Sequence, residues 1–159
     1  MSRRARAFLL PCLLLALTGR AEAQGRPLRL SGLQPLNFGD VLAGVPLHAL
    51  RTDPLRSGQF ELRGAKDLDL MLLFALPDAM TGPGGASLPL HFDAGDAGYS
   101  PAESITAQHP VDPRSPFTIR LPTNGKARLF LGGTVVPAPN QRGGSYSATV
   151  TLTVAYLGV

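Results

Sequence analysis

Residues 145–156 read SYSATVTLTVAY and alternate without a break between apolar and small side chains. Successive side chains of a β-strand point to opposite faces of the sheet, so this period of two predicts a strand with one buried face and one solvated face. Its β-branched and aromatic residues also favour a strand. The predicted buried face carries Tyr146, Ala148, Val150, Leu152, Val154 and Tyr156.

The position of this strand suggests a role for it. The sequence stops at Val159, three residues after Tyr156, and we therefore expect no later segment to cover the far edge of the strand. An uncovered edge offers unpaired N–H and C=O groups to another chain. The sequence thus predicts an assembly edge formed by Tyr146, Val150, Leu152, Val154 and Tyr156.

Short apolar runs separated by Gly and Pro turns extend the β pattern along the chain, and they predict an all-β antiparallel sandwich. The run 68–76 is apolar at almost every position, which predicts a strand buried on both faces. Pro89 has no backbone donor, which assigns the run 88–92 to a sheet edge. Gly132 and Gly133 predict a bulge or a close backbone approach. The predicted strands cover residues 35–42, 59–64, 68–76, 88–92, 117–121, 126–136 and 145–156, with 126–136 paired to the last.

The first 23 residues are typical of an export signal. Arg3, Arg4 and Arg6 form a basic front, an apolar stretch follows at 8–17, and Ala21-Glu22-Ala23 offers a small-residue cleavage site. The apolar stretch is shorter than the roughly 20 residues that cross a bilayer. We therefore expect a signal peptide at 1–23, an N-terminal arm at 24–35, a sandwich domain at 36–159, and no membrane span after cleavage.

Removing this signal changes the charge of the protein. It takes four of the 15 basic residues and one of the 11 acidic residues, so that 11 and 10 remain. The net charge of +1 gives no support to a nucleic-acid partner.

The remaining chain has no cysteine, since Cys12 lies in the signal. A secreted domain of this kind is stabilised by burial and strand pairing without disulfides.

The arm offers two interpretations. Leu28, Leu30 and Leu33 are spaced among Gly, Ser and Arg. Such a segment is either a frayed terminus or a short extended donor arm that pairs with a sheet edge. As a donor arm it would present Leu28 and Leu30 on the same side.

Catalytic and metal-binding patterns are absent from the sequence. No serine has the Gly-x-Ser-x-Gly spacing of a nucleophile elbow, and His48, His91 and His109 have no His-x-His or His-x-x-x-His spacing. Asp93 and Asp96 form an acidic pair in a glycine loop, but two carboxylates fall short of the six or more oxygens that calcium takes. We therefore expect a non-enzymatic protein without a cofactor, and calcium at Asp93 and Asp96 stays open.

Two stretches resemble a known family. LFLGGTV at 129–135 and GGSYSATVTLTVAY at 143–156 are similar to secreted bacterial proteins of the domain of unknown function family 4402, which are similar to spore coat protein U and to chaperone/usher pilin subunits. In that family a glycine precedes an alternating strand that ends in a tyrosine, and here Gly144 and Tyr156 match those positions. Leu36-Asn37-Phe38-Gly39 with Gly44 fits the opening strand of the family.

This resemblance implies an immunoglobulin-like, pilin-like sandwich that lacks its last strand. The missing strand would come from a periplasmic chaperone or from the arm of a neighbouring subunit, by β-augmentation. The implied partners are homo- or hetero-subunits of a surface polymer, a periplasmic chaperone and an outer-membrane usher. The implied location is the periplasm, the cell surface or the medium of a bacterium.

A second function class remains open beside the structural subunit. The long segment 93–116 and the glycine-rich loop at 81–87 could present a ligand site on a self-contained secreted binding or adhesion module, with carbohydrate as a possible ligand.

Overall fold

The computed structural model describes residues 26–157, and the predicted signal peptide at 1–23 lies outside them. Regular structure in this part of the chain is β-strand, apart from one 3-10 turn at Pro83–Gly85. None of its helical structure is long and apolar enough to span a membrane. The strands are β1 (Arg29–Gln34), β2 (Leu47–Ala49), β3 (Gly58–Arg63), β4 (Asp69–Ala75), β5 (Ala79–Thr81), β6 (Ser87–His91), β7 (Ala97–Ser100), β8 (His109–Val111), β9 (Phe117–Arg120), β10 (Lys126–Leu131), β11 (Gly133–Val135) and β12 (Thr151–Tyr156).

These strands form three antiparallel sheets. Their orders are β1-β3-β10-β7-β8, β2-β11-β6-β5 and β12-β4-β9. The sheets share one hydrophobic core. Within it, Phe60 of the five-stranded sheet meets Phe74 of the three-stranded sheet edge to face at 5.9 Å. The expected all-β, antiparallel fold is confirmed, and the packing of sheets across a common core is consistent with a β-sandwich.

The run 68–76 forms β4, but only one of its faces is buried. Leu70, Leu72 and Phe74 point into the core, whereas Met71 and Leu73 are each 44% exposed. The prediction of burial on both faces was wrong because β4 pairs laterally with β12 and β9 and no further layer covers its outer face in the described residues. An apolar run fixes the strand but not the number of layers above it.

Pro89 lies in an inner strand, so its assignment to a sheet edge was wrong. β6 pairs with β5 on one side and with β11 on the other. The ladder to β11 includes only Leu90 and His91 of β6, and Pro89, which precedes Leu90 in the chain, lies just beyond the end of this ladder. The carbonyl of Pro89 accepts a hydrogen bond from the N–H of Val136 at 3.0 Å. A proline is tolerated here because its missing donor falls at the end of the ladder.

The stretch 126–136 does not pair with the last strand. It divides at Gly132 into β10, which pairs with β3 and β7, and β11, which pairs with β2 and β6. A Cβ atom on Gly132 would lie 2.4 Å from the carbonyl oxygen of Ala49, so the predicted close backbone approach is confirmed. The predicted hairpin between 126–136 and the last strand was wrong, because β12 pairs with β4 instead. Strands that are consecutive in the sequence often pair, but not always.

Two irregular segments differ from expectation. Residues 35–46 form no strand, because Gly39 and Gly44 have φ of 65° and 76° and Asn37 Oδ1 accepts a hydrogen bond from the N–H of Gly39 at 2.8 Å, which makes a turn. Phe38 from this segment is nevertheless a core residue. The long segment 93–116, which lies outside the predicted strands, contributes β7 and β8.

Candidate functional site: an apolar groove between two open strand edges

The terminal strand β12 is an edge strand. It pairs with β4 on one side, and no described residue pairs with its other side. The N–H of Leu157 donates to the carbonyl of Asp69 at 2.9 Å, which fixes the phase of the ladder. Hydrogen-bonded pairs alternate along an antiparallel ladder, so Leu152, Val154 and Tyr156 direct their backbone N–H and C=O groups away from β4.

A second open edge belongs to β1. This strand pairs with β3 and ends the five-stranded sheet. The N–H of Gly64 donates to the carbonyl of Gly125 at 2.9 Å, so even-numbered residues of β3 bond to β10 and odd-numbered ones to β1. By the same alternation, Leu30 and Gly32 direct their backbone groups to the open side.

An apolar groove of about 450 Å³ lies between the end of β1 and the segment that leads into β12. One wall is residues 32–36 and the other is residues 148–150. Residues 148–150 belong to no strand, because the terminal segment pairs with β5 only at Ser147 and rejoins a ladder at Thr151. The groove floor consists of core side chains. These are Phe38, Phe60, Met80, Leu90 and Leu131.

A second hollow of about 590 Å³ continues past the floor residues Phe38 and Met80. Its walls are the irregular segment 36–43 and residues 141–146. Together the two hollows run beside the terminal segment from Gln141 to Val150. The space beside this segment is thus elongated, which suits an extended chain.

Two tyrosines fix the ends of the terminal segment. Tyr156 Oη donates to the carbonyl of Arg26 at 3.1 Å and accepts from the N–H of Ala65 at 2.9 Å. Tyr146 Oη donates to the carbonyl of Arg142 at 2.6 Å and accepts from Gln141 Nε2 at 2.7 Å. The segment between them is therefore held at both ends.

The predicted edge residues divide between strand and groove. Leu152, Val154 and Tyr156 lie in β12 with their side chains toward the core. Tyr146 and Val150 precede the strand, which begins at Thr151 and not at residue 145. The predicted strand is interrupted between two pairs: Ser147 pairs with Thr81, and Thr151 pairs with Ala75. The segment from 147 to 151 is shorter than the segment from 75 to 81, so the ladder breaks between these pairs.

The predicted donor-arm leucines are placed on the chain's own sheet. Leu30 and Leu33 lie in β1, and Leu28 directly precedes it. Leu28 packs against the core, whereas Leu30 is 37% and Leu33 47% exposed. The groove brings Leu33 opposite Val150. Sequence reasoning missed the floor residues, since their shared apolar character does not show which of them border an opening.

The acidic loop holds a histidine–aspartate hydrogen bond that spacing did not reveal. His48 Nε2 lies 2.9 Å from Asp96 Oδ1, and Asp96 Oδ2 accepts from the N–H of Asp93 at 2.8 Å. Both oxygens of the buried Asp96 carboxylate thus have partners within the chain. No group of three or more His, Cys, Asp or Glu side chains that could hold a metal ion occurs within residues 26–157.

A polar hollow lies on another part of the surface. It has about 550 Å³ and its polar lining is Asp78, His91, Asp93 and Arg114. Arg114 donates to Asp112 from Nε and Nη2 at 2.9 and 3.0 Å, and these hydrogen bonds lower the pKa of the Asp112 carboxyl. The volume of this hollow lies within the range of small-molecule sites.

Comparison of the chain with protein-family models, with curated proteins and with solved structures finds no match. The function is therefore argued from the groove and its two edges.

Proposed function

We propose that the protein is an exported, non-enzymatic structural subunit of a cell-surface fibre or coat that assembles by β-strand complementation. The observation that supports this most is the apolar groove between residues 32–36 and 148–150, next to two open strand edges. An incoming strand would bond to the outward N–H and C=O groups of Leu152 and Val154. Its alternate apolar side chains would cover Leu33 and Val150.

In this proposal the fold is an immunoglobulin-like, pilin-like sandwich that another backbone completes. The resemblance of residues 129–135 and 143–156 to family 4402, spore coat protein U and pilin subunits supports it. The partners are other subunits of the polymer, with a periplasmic chaperone and an outer-membrane usher acting before assembly. An open edge promotes aggregation, which gives a chaperone its physical purpose.

The position of β1 defines how an N-terminal arm could take part. Leu30 and Leu33 already lie in a strand that pairs with β3 of the same chain. Donation of this arm to a neighbour would thus be a strand exchange, in which β1 leaves its own sheet. A strand from a chaperone would need no such exchange.

Light scattering of the purified chain over a concentration series, with and without a peptide of residues 26–36, tests the proposal. Val150→Asp places a charge on the groove wall and should abolish assembly and peptide binding. Thr153→Asp adds the same charge on the exposed face of β12 and should leave both intact. A chain that stays a soluble monomer at every concentration and ignores the peptide would rule out the subunit role.

The second candidate is a self-contained binding or adhesion module. The polar hollow lined by Asp78, His91, Asp93 and Arg114 favours it, and this hollow borders the start of the segment 93–116. Pairing of β1 with its own β3 also fits a domain that acts alone. The same scattering experiment separates the two functions, because a binding module should remain monomeric.

A further inference from the structure

A row of three cations crosses the outer face of the five-stranded sheet. Arg29 of β1 lies opposite Arg63 of β3, and Arg63 lies opposite Lys126 of β10. Their neighbours Leu62 and Ala127 are fully buried, so the cations point away from the core. Adjacent strands are about 4.8 Å apart, and like charges directly opposite each other destabilise a sheet.

The row opens into a cleft of about 280 Å³. The cleft is lined by Arg26, Arg29, Arg63 and Lys126 with the polar side chain of Asn124, and no acidic side chain lines it. Four of the 11 basic residues outside the predicted signal therefore meet at one small hollow. This concentration is local, because the same part of the chain has a net charge of only +1.

Few acidic groups compensate this charge. Glu61 accepts two hydrogen bonds from Arg63, at 2.7 and 3.0 Å. Within residues 26–157, no carboxylate lies within 4.0 Å of a charged nitrogen of Arg26, Arg29 or Lys126. Three cations around the cleft thus face solvent without a carboxylate partner. Such a site attracts anions at long range and binds oxyanions by charge-assisted hydrogen bonds.

The cationic surface ends on β10 at Arg128. Arg128 lies two residues after Lys126 and points to the same face. Its nearest carboxylate, on Glu103, is 3.9 Å away, and its buried Nε atom has no hydrogen-bond partner among the described residues. Glu61 of β3 also lies directly opposite Arg128, so carboxylates compensate the charge of Arg128 and the uncompensated cations are confined to the cleft.

We propose that this cationic cleft, formed by Arg26, Arg29, Arg63 and Lys126, binds a linear anionic polysaccharide through its sulfate or carboxylate groups. Repeated anionic groups along a flexible polymer can follow the spacing of cations on neighbouring strands. Asn124 Oδ1 accepts from the N–H of Lys126 at 2.9 Å, and the amide NH2 group of the same side chain can donate to sugar hydroxyls. The cleft lining contains no aromatic side chain on which nucleic-acid bases could stack. The cleft and the strand-complementation groove have no lining residue in common.

Titration of the purified full chain with heparin and with polygalacturonate tests the proposal and distinguishes sulfate from carboxylate. Binding should weaken as salt rises. The double variant Arg29→Gln with Lys126→Gln should reduce the slope of log Kd against log salt by about two, one for each cation removed. Arg120→Gln removes one charge elsewhere, at a residue paired with Asp69, and should change neither affinity nor slope.

Three results would overturn the proposal. They are no binding of either polysaccharide at low salt, an equal loss in the Arg120→Gln control, and tighter binding of single-stranded DNA or of anionic lipid vesicles than of both polysaccharides. Since Arg29 and Lys126 lie outside the groove, a failure here leaves strand complementation intact, and a monomeric chain that binds heparin supports only the cationic cleft.

Discussion

Tyr156 Oη donates a hydrogen bond to the carbonyl oxygen of Arg26 at 3.1 Å, a contact between residues 130 positions apart. The same hydroxyl accepts from the N–H of Ala65 at 2.9 Å. One side chain at the end of β12 thus ties the beginning of β1 to the turn after β3. This contact closes one end of the space between the two open edges, while the groove opens beside Leu33 and Val150.

Tyr156→Phe should lower the free energy of unfolding by about 1–2 kcal/mol, because it leaves the Ala65 N–H without its partner. Urea denaturation measures this. Thr153→Val, which changes an exposed hydroxyl of the same strand, should cost less than about 0.5 kcal/mol. Equal losses in the two variants would show that the tyrosine hydroxyl has no special role.

Phe38→Ala should destabilise the protein by about 3–5 kcal/mol, because the ring is 6% exposed and its loss leaves a cavity. Leu42→Ala changes a side chain of the same irregular segment that is 71% exposed and should be close to neutral. Thermal or urea denaturation of both variants is the measurement. If Phe38→Ala were as harmless as Leu42→Ala, this segment would not fill the core.

Gly132→Ala should cost about 1–3 kcal/mol, since the new Cβ atom would lie 2.4 Å from the carbonyl oxygen of Ala49 and 2.8 Å from the N atom of Arg51. Gly143→Ala is the matched control, because no atom lies within 4 Å of a Cβ at that position. The measurement is the denaturation midpoint of each variant. Equal midpoints would contradict the close packing between β2 and the β10–β11 junction.

Acid should weaken the ion pair between Glu61 and Arg63. Hydrogen bonds from Arg63 lower the pKa of the Glu61 carboxyl below its usual value, so the pair stabilises the fold above the unfolded-state pKa. This contribution is lost as the pH falls through the lower pKa of the folded state. Because the pair is at the surface, wild type should exceed Glu61→Gln in stability by less than about 1 kcal/mol at pH 7.

Denaturation at a series of pH values measures that difference. The gap between wild type and Glu61→Gln should shrink on acidification and vanish once Glu61 is protonated in both states. A gap that widened toward acid would mean that the pKa of Glu61 is raised and not lowered.

Local patterns predicted the fold class because they report directly on strands. The alternation in 150–156 appears as buried or half-buried Val150, Leu152, Val154 and Tyr156 between exposed neighbours. The runs 59–64 and 117–121 also appear as β3 and β9. The pairing partner of each strand was harder to predict. The last strand pairs with β4 and not with 126–136, and this choice depends on contacts between distant segments.

The groove was predictable only in part. Alternation predicted the faces of β12, and the structure shows β12 at the edge of its sheet within residues 26–157, with Val150 beside the groove. Its floor could not be foreseen, since Phe38 comes from an irregular segment and Leu131 from the end of β10. The cationic row was also missed, because Arg29, Arg63 and Lys126 become neighbours only through strand register.

Amide hydrogen exchange along β12, with and without a complementing strand, tests the central claim most directly. In the monomeric chain the amides of Thr153 and Ala155, which bond to β4, should exchange slowly, and those of Leu152 and Val154 should exchange fast. Assembly should then slow the exchange of Leu152 and Val154. Slow exchange of all four amides in the isolated monomer, or no change on assembly, would contradict an open edge that another chain completes.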